Sequence, residues 1–373
     1  MGCASSTEAA HAPQYRPTTP RRPTTPHYNP HAIYSPPRGL NQGYAVAPPT
    51  RQKESSVYAF APQSLGMSHD DSNVDWSQYR ALEPYKGTYW VDHDDLTVIR
   101  PIPCNYMKTQ MGNLHGQPVL IKSLDLSKST DEIAKSRKLL VSEITSMVRI
   151  DHPNIVKFVG FNLSPDRGLV CISEYLDNKT LRVLLDTPKL AAQLTWAAEK
   201  IRYAIDICAA LAYMHNLKPT LIHRNVKASK VLLTDGRGHA KLSGFGVSRI
   251  RTFEDEMTGK IGDIEWSAPE LLIDGEDYTE KVDVYSFGVL LTELDTCAMP
   301  FADEKAHMLG TDFTNRIATG ALRPKLSSTC PPVIARVVRS CLQQDPLLRP
   351  SSDKVMEMLK QAKSQLNTSA VPY

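Results

Sequence analysis

The stretch that decides the fold is Leu221–Gly246, which reads LIHRNVKASKVLLTDGRGHAKLSGFG. It contains two short motifs, His223-Arg224-Asn225 and Gly244-Phe245-Gly246. Upstream, apolar residues at helical spacing predict a helix from a Thr195 cap to about His215. Downstream, the almost wholly apolar run Val284–Leu294 predicts a helix that lies at the centre of a domain.

The part of the chain before this stretch is rich in short β-like runs. The predicted strands are Leu96–Arg100, Val119–Leu124, Ile155–Phe161 and Leu169–Ser173. Between them a helix is predicted over Asp131–Arg149, because Leu140, Ile144, Met147 and Val148 share one face. Strands first and helices afterwards predict an α+β domain in two layers or lobes.

Charge and cysteine usage exclude several classes of protein. The formal net charge is only +3, and no basic stripe interleaved with aromatic residues is present, so no nucleic-acid partner is expected. None of the seven cysteines falls in a C-x-x-C pair, which argues against a disulfide framework or a zinc site. No apolar run approaches the ~20 residues that a membrane span needs.

Residues 1–80 differ in composition from the rest of the chain. The sequence RPTTP occurs at Arg16–Pro20 and again at Arg22–Pro26, and large aliphatic residues are few. Such a Pro/Thr-rich segment is predicted to be disordered. We therefore divide the chain into this segment, a domain over residues 81–363 and a flexible tail over residues 364–373.

The first residues, Met1-Gly2-Cys3-Ala4-Ser5-Ser6, match the pattern M-G-x-x-x-[ST]. That pattern predicts a myristoyl chain on Gly2, with Cys3 beside it as a palmitoyl acceptor. Up to Lys53 the segment carries six Arg or Lys residues against Glu8 alone, which adds attraction to anionic lipid. We expect the protein at the cytoplasmic face of a membrane, with the plasma membrane as first choice.

In order and spacing, the motifs from about Leu96 to Ala362 resemble the protein kinase superfamily, most closely its tyrosine-kinase-like branch. The matching motifs are Val119-Leu120-Ile121-Lys122, Glu143, His152-Pro153-Asn154-Ile155-Val156, Ser173-Glu174-Tyr175, His223-Arg224-Asn225, Gly244-Phe245-Gly246, Ala268-Pro269-Glu270, Asp283–Gly288 and Arg349-Pro350. This resemblance implies a two-lobed protein-kinase-like fold, with a β-rich small lobe and a helical large lobe.

Three positions depart from the family pattern. Asn225 stands where the family has its catalytic-loop Asp, and an amide has no useful basicity. Lys230 and Gly244 stand where the family has its two magnesium ligands, and neither offers the oxygen that Mg²⁺ requires. These substitutions predict a catalytically dead homologue with no functional catalytic residue and no metal site.

The nucleotide cradle departs as well. Between Gly87 and Gly112 there is no glycine, and Pro101–Met107 occupies the place of the glycine-rich loop. Leu120 replaces a small residue of the adenine slot, where it either obstructs the slot or fills core volume. We therefore expect weak or absent ATP binding, no Mg²⁺ and no other cofactor.

Other family positions are retained. Four belong to the kinase nucleotide site, namely Lys122, Glu143, Glu174 and Lys227. The resemblance also implies a packed column of Met147, His223 and Phe245 between the lobes and a buried ion pair of Glu270 with Arg349.

The activation segment, Gly244–Glu270, looks altered. Asp263 and Glu265 stand where a substrate would be held. Glu254-Asp255-Glu256 offers Arg224 a permanent anion, or is simply a solvated charge run.

These features predict a membrane-anchored pseudokinase that acts in signal transduction as a non-catalytic scaffold or allosteric regulator. Its expected partners are an active kinase or a receptor complex. Two alternatives stay open at this point: a residual or atypical serine/threonine protein kinase, and a metal-independent nucleotide-binding sensor in which Lys122, Lys227 and Lys230 hold an anion.

Overall fold

The computed structural model describes residues 76–104, 107–164, 167–250, 263–273 and 278–369. All of them belong to one unit, Ala59–Tyr373. The predicted acylation sites Gly2 and Cys3, and nearly all of the predicted disordered segment, lie outside the described residues. Within the described part, no helix combines the length and apolar character needed to cross a membrane.

The small lobe is built on an antiparallel sheet with the strand order β1-β2-β3-β5-β4. Its strands are β1 Leu96–Ile102, β2 Lys108–Leu114, β3 Gln117–Ser123, β4 Phe158–Ser164 and β5 Gly168–Glu174. Side chains alternate between the two faces of β3. Val119 and Ile121 join a buried apolar cluster on one face, so Leu120 and Lys122 project from the other.

One predicted strand begins later than its apolar run. Ile155–Phe161 was expected to be a single strand, but β4 starts only at Phe158. Ile155 forms an isolated bridge with Leu242, and the Val156 amide donates to the Leu242 carbonyl at 2.9 Å. The first half of the run therefore connects to the large lobe instead of extending the sheet.

Two described helices contact this sheet, the four-residue α1 (Lys86–Tyr89) ahead of β1 and the long α2 (Thr130–Met147). A capping box starts α2, because Ser129 and Glu132 each bind the other's backbone amide, at 3.2 and 3.4 Å. The predicted apolar face is confirmed, since Leu140, Ile144 and Met147 are buried.

The segment before β1 also packs on α2. Tyr79 and Leu82 are buried, and the Arg137 guanidinium of α2 donates to the Tyr79 hydroxyl at 3.2 Å. The folded region therefore includes residues ahead of position 81, where the sequence places the start of the domain.

The large lobe is helical, as predicted. Its helices are α3 Leu181–Leu185, α4 Pro188–Ala191, α5 Glu199–His215, α6 Pro269–Leu272, α7 Lys281–Thr296, α8 Ala302–His307, α9 Gly310–Ala318, α10 Pro332–Cys341 and α11 Ser352–Ser369. Two short antiparallel pairs accompany them: β6 Leu221–Ile222 with β9 Arg249–Ile250, and β7 Val231–Leu233 with β8 Ala240–Leu242. Helix α7 is buried along almost its whole length, as its apolar sequence predicts.

Two helix ends differ from the sequence-based expectation. Helix α5 begins at Glu199 and not at a Thr195 cap, because the Thr195 carbonyl accepts from the Ala198 and Lys200 amides and closes a separate turn. Helix α11 continues past residue 363, where the sequence places a flexible tail, and its Leu366 packs against the core.

Candidate active site

The loop that follows β6 forms the centre of the site, and a buried carboxylate holds its first residues. Asp283, on α7, accepts the His223 and Arg224 backbone amides at 2.7 Å each and lies 2.9 Å from His215 Nε2. Burial alone would raise the pKa of Asp283, but the hydrogen bond and charge of His215 outweigh it and hold the pKa below its ordinary value. The backbone at the start of the loop is therefore fixed independently of the side chain at position 225.

A second carboxylate of α7 holds the other end of the same loop. Glu293 Oε2 accepts the Ala228 amide at 3.0 Å and the Trp266 indole at 2.8 Å, and Oε1 pairs with Arg182 at 3.0 Å. Burial raises the pKa of Glu293 despite these partners. The loop is thus anchored at both ends.

Lys122 and Glu143 meet between the sheet and α2, where the Lys122 ammonium pairs with Glu143 Oε1. Glu143 is only 4% exposed. Desolvation by burial is the largest single effect and lowers the pKa of Lys122, but the charge and hydrogen bond of Glu143, together with smaller effects of Cys171 and Cys104, outweigh it, so the pKa lies above its ordinary value. The pair fixes α2 against the sheet.

The lobes also meet through aromatic packing. The Phe245 ring packs edge-on against His223, with ring centroids 4.9 Å apart and an interplanar angle of 79°. Phe245 lies with Met147 in the same buried cluster, and His223 is also fully buried. Burial lowers the pKa of His223 to about 4, so its ring is neutral and lies 3.1 Å from the Ser243 carbonyl through Nε2.

The three substituted positions lie together on this framework. Asn225 is half-buried on the anchored loop, and its backbone N–H donates to His223 Nδ1 at 3.2 Å. Lys230 ends the short 3₁₀ turn Ala228–Lys230, and its carbonyl accepts from the Ser243 amide at 2.8 Å. Gly244, at φ 89°, lies directly after Ser243.

The cleft at these positions is cationic. Burial first, and then the charge of Lys122, lower the pKa of Lys230. Lys227 pairs with Asp263 and lies over the Trp266 ring, with the ammonium 5.3 Å from its centroid. Asp263 is therefore joined to the anchored loop, on the activation segment where a substrate is expected.

Glu174 is one of the four retained positions of the kinase nucleotide site, and its side chain binds residues next to β4 and in β8. Its carboxylate accepts from the Lys157 amide at 2.8 Å and from Lys241 at 2.6 Å. These bonds join the end of β5 to the start of β4 and to β8. Its role in the fold is therefore to connect the sheet to the large lobe.

Arg224 and the Glu270–Arg349 pair lie at the base of the activation segment. The Arg224 guanidinium donates to the Val247 carbonyl and, at 2.8 Å, to the Tyr278 hydroxyl. The run Glu254–Glu256, which was considered as its partner, lies outside the described residues. Arg349 binds Glu270 through two bonds of 2.6 and 2.8 Å in a buried setting.

Two residues that organise the site were not identified as such from the sequence. The motif that contains Asp283 does not by itself give its carboxylate a role, and Glu293 lies outside every motif named above. The signal that identifies both is a carboxylate within an otherwise apolar helix, because a buried charge needs partners. Here the partners include the backbone amides of the anchored loop.

Comparison with known proteins identifies the family. Residues 104–359 match the model described as protein tyrosine and serine/threonine kinase. A probable serine/threonine-protein kinase of Dictyostelium discoideum is 33% identical over 252 residues, which is 67% of this chain and 26% of that protein. The serine/threonine/tyrosine-protein kinase HT1 of Arabidopsis thaliana is 31% identical over 243 residues, 65% of this chain and 60% of HT1.

Another Arabidopsis thaliana protein, serine/threonine-protein kinase CTR1, is 30% identical over 329 residues, 87% of this chain and 36% of CTR1. This chain spans about a quarter of the Dictyostelium relative, and 15% and 12% of two relatives from Acanthamoeba polyphaga mimivirus.

These relatives correct two predictions. The prediction of a catalytically dead homologue is wrong, because proteins that are 30–33% identical to this chain are named serine/threonine-protein kinases. The prediction of no cofactor, with weak or absent ATP binding and no Mg²⁺, is wrong for the same reason, since protein kinases use both. Phosphoryl transfer depends mainly on positioning and electrostatic stabilisation, so missing side-chain groups do not by themselves establish inactivity.

The family model covers more than half of the chain, and the matched region folds into a β-sheet small lobe and a helical large lobe. This chain belongs to the protein kinase family.

Proposed function

We propose that this protein is a serine/threonine protein kinase with an atypical active site, which transfers the γ-phosphoryl group of ATP to a hydroxyl of a protein substrate. The observation that carries the proposal is the ion pair between Lys122 and Glu143. In protein kinases this pair must be in place for activity, because it sets the lysine against the phosphates and fixes the helix that carries the glutamate. Membership of the tyrosine-kinase-like branch stays a prediction.

The cleft beside Lys122 suits a nucleotide. Leu120 shares the Lys122 face of β3, is half-buried and belongs to neither apolar cluster of that sheet. It is therefore not used as core filling, and it offers an apolar surface next to an ammonium group. The base of a nucleotide would contact the apolar surface of Leu120, and its phosphates would contact the Lys122 ammonium.

The positions that bind Mg²⁺ in other kinases do not fit a metal ion. Lys230 offers an ammonium and Gly244 has no side chain, whereas Mg²⁺ takes oxygen ligands. Among the residues that the structure describes, no group of three or more His, Cys, Asp or Glu side chains is placed to hold a metal. A metal ion here would depend on nucleotide phosphate oxygens and water for its ligands, and no step is derived through it.

The chain's own groups have separate parts in the transfer. ATP, when bound, supplies the phosphoryl group: the substrate hydroxyl oxygen bonds to the γ-phosphorus, the bond from that phosphorus to the β–γ bridging oxygen breaks, and ADP leaves. Lys122 binds the phosphates, and the Asn225 amide oxygen accepts a hydrogen bond that orients the hydroxyl. Because Asn225 takes no proton, the hydroxyl proton passes to water.

The test is transfer of labelled phosphate from ATP to serine- and threonine-containing peptide libraries by the purified full-length protein. We compare wild type with Lys122→Met and with Lys354→Met, a matched change in an exposed pair with Glu357. Transfer by wild type and by Lys354→Met, with a loss of about 100-fold or more in Lys122→Met, supports the proposal. Folded wild-type protein that transfers no phosphate contradicts it, and ATP binding without transfer favours the nucleotide sensor.

We also propose that the chain is held at the cytoplasmic face of a membrane by acyl chains on Gly2 and Cys3, where its protein partners would be a receptor complex or another kinase. The support is the terminal sequence Met1–Ser6. A single myristoyl chain binds membranes only with K on the order of 10⁴ M⁻¹, so the second chain is needed for stable anchoring.

Gly2→Ala should release the protein from membranes and Cys3→Ser should leave weak association. Full membrane retention of Gly2→Ala would exclude acylation as the anchor.

A further inference from the structure

The side chain of Lys230 occupies the volume that a side chain at position 244 would need. A Cβ atom built on Gly244 would lie 2.8 Å from Lys230 Cδ, 3.4 Å from Cε and 3.5 Å from Cγ. The lysine stem therefore passes alongside the glycine, and its ammonium is near enough to Lys122 for the two charges to interact. The two substitutions are complementary in shape, since the absence of a side chain at position 244 makes room for the lysine.

Hydrogen bonds fix the backbone of Lys230, from which its side chain extends. The Lys230 carbonyl accepts from both the Ser243 amide and the Ser243 hydroxyl, at 2.8 and 2.9 Å. Its own amide donates to the Lys227 carbonyl at 2.9 Å. The backbone of Lys230 is thus tied to the residue that precedes Gly244, which places the start of the stem beside that glycine.

Lys230 has no carboxylate partner in direct contact among the described residues, although the charge of Glu143 acts on it from a distance. Lys122 pairs with Glu143 and Lys227 pairs with Asp263, but no ion pair joins Lys230 to a carboxylate within the described ranges. The charge of Lys122 acts on Lys230 and, with burial, lowers its pKa. A partly buried ammonium that is repelled by a neighbouring one is stabilised by an anion between them.

We propose that Lys230 and Lys122 together form a binding site for the phosphate chain of a nucleoside triphosphate, in which Lys230 binds phosphate oxygens from the large-lobe side. This deepens the proposed function and rests on it. The ligand class follows from the site: an anion with several charged oxygens satisfies two ammonium groups, and Leu120 adds an apolar surface on the Lys122 side. Gly244 acts as the residue whose missing side chain permits this arrangement.

The experiment measures binding of ATP, and separately of inorganic tripolyphosphate, to the full-length protein by calorimetry. Lys230→Met keeps most of the stem and removes the charge, Lys230→Arg keeps the charge, and Lys354→Met is the control for loss of an exposed lysine. We expect Lys230→Met to weaken both ligands by about tenfold or more, because a charge-assisted hydrogen bond is lost. Lys230→Arg should recover most of the affinity, and Lys354→Met should bind as wild type does.

The outcomes separate this inference from the proposed function. Equal affinity of wild type and Lys230→Met for ATP overturns the inference and leaves the kinase proposal standing. Binding that depends on Lys230 without any phosphate transfer overturns the kinase proposal and supports the inference. If wild type binds neither ATP nor tripolyphosphate, both are overturned. Melting temperatures of each variant show that a loss of binding is not a loss of folding.

Discussion

The fit between Lys230 and Gly244 can be tested through stability alone, without any ligand. The perturbation is Gly244→Ala, made once in the wild-type chain and once in a chain that carries Lys230→Ala. The added methyl group would lie 2.8 Å from Lys230 Cδ, closer than real side-chain atoms approach each other. In the second chain Lys230 Cγ, Cδ and Cε are absent, so the same methyl group meets no other atom closer than 3.5 Å.

The expected magnitude has two parts. Gly244 has φ 89°, and an L-residue in that region costs about 1–2 kcal/mol in either background. In the wild-type chain the Lys230 stem must also leave its preferred rotamer, which adds about 0.5–1.5 kcal/mol. Because the backbone cost is common to both backgrounds, it cancels in the double-mutant cycle. The coupling that remains is about 1 kcal/mol, which is typical of residues in contact.

The assay is urea unfolding of the four proteins of the cycle, followed by circular dichroism, with the free energy of unfolding taken from the midpoint and slope. Gly244→Ala should destabilise the wild-type chain by about 1 kcal/mol more than it destabilises the Lys230→Ala chain. An equal loss in the two backgrounds would mean that the Lys230 stem does not lie against Gly244. Lys230 would then not be directed into the cleft by the missing side chain at position 244.

Three further predictions concern the framework of the site. Phe245→Ala should cost about 3–5 kcal/mol of unfolding free energy, because its ring is fully buried; a loss below ~1 kcal/mol would contradict that packing. Glu270→Ala should cost about 3–5 kcal/mol by leaving Arg349 buried without its partner, and an unchanged melting temperature would refute a buried pair. The pKa of His223 is about 4 in the folded state, compared with an ordinary 6.5. As pH falls from 6.5 to about 4, the unfolded chain therefore binds more protons than the folded chain. The free energy of unfolding should decrease by ~3 kcal/mol in total over that range. The expected outcome is a flatter stability–pH profile for His223→Phe over that range, and an unchanged slope would contradict it.

Elements with a clear hydrophobic period could be predicted from the sequence. Leu140, Ile144 and Met147 lie three or four residues apart, and their helix, α2, lies where that spacing places it. The run Ile155–Phe161 has no such period, because both of its halves are buried. Its division between a bridge to Leu242 and strand β4 depends on the position of the large lobe, which local sequence does not specify.

The positions of the candidate site could be predicted, but their contacts could not. The motif order identifies Lys122, Glu143 and Lys230, which the fold brings to one cleft. The contact between Lys230 and Gly244 depends on side-chain direction and on hydrogen bonds to Ser243, and neither is encoded in sequence spacing. For that reason the sequence suggested two lost metal ligands, whereas the structure shows one complementary pair.

The anchoring of the loop explains why its side chains are a poor guide to activity. Asp283 and Glu293 bind the backbone amides of His223, Arg224 and Ala228, so none of these bonds involves the side chain at position 225 or 230. The loop can therefore keep the shape that a kinase requires while its cleft-facing groups change. Phosphoryl transfer relies chiefly on positioning and on charge near the phosphates, and a loop that keeps its position meets the first requirement. In the activity proposed above, Lys122 and Lys230 together would supply the charge.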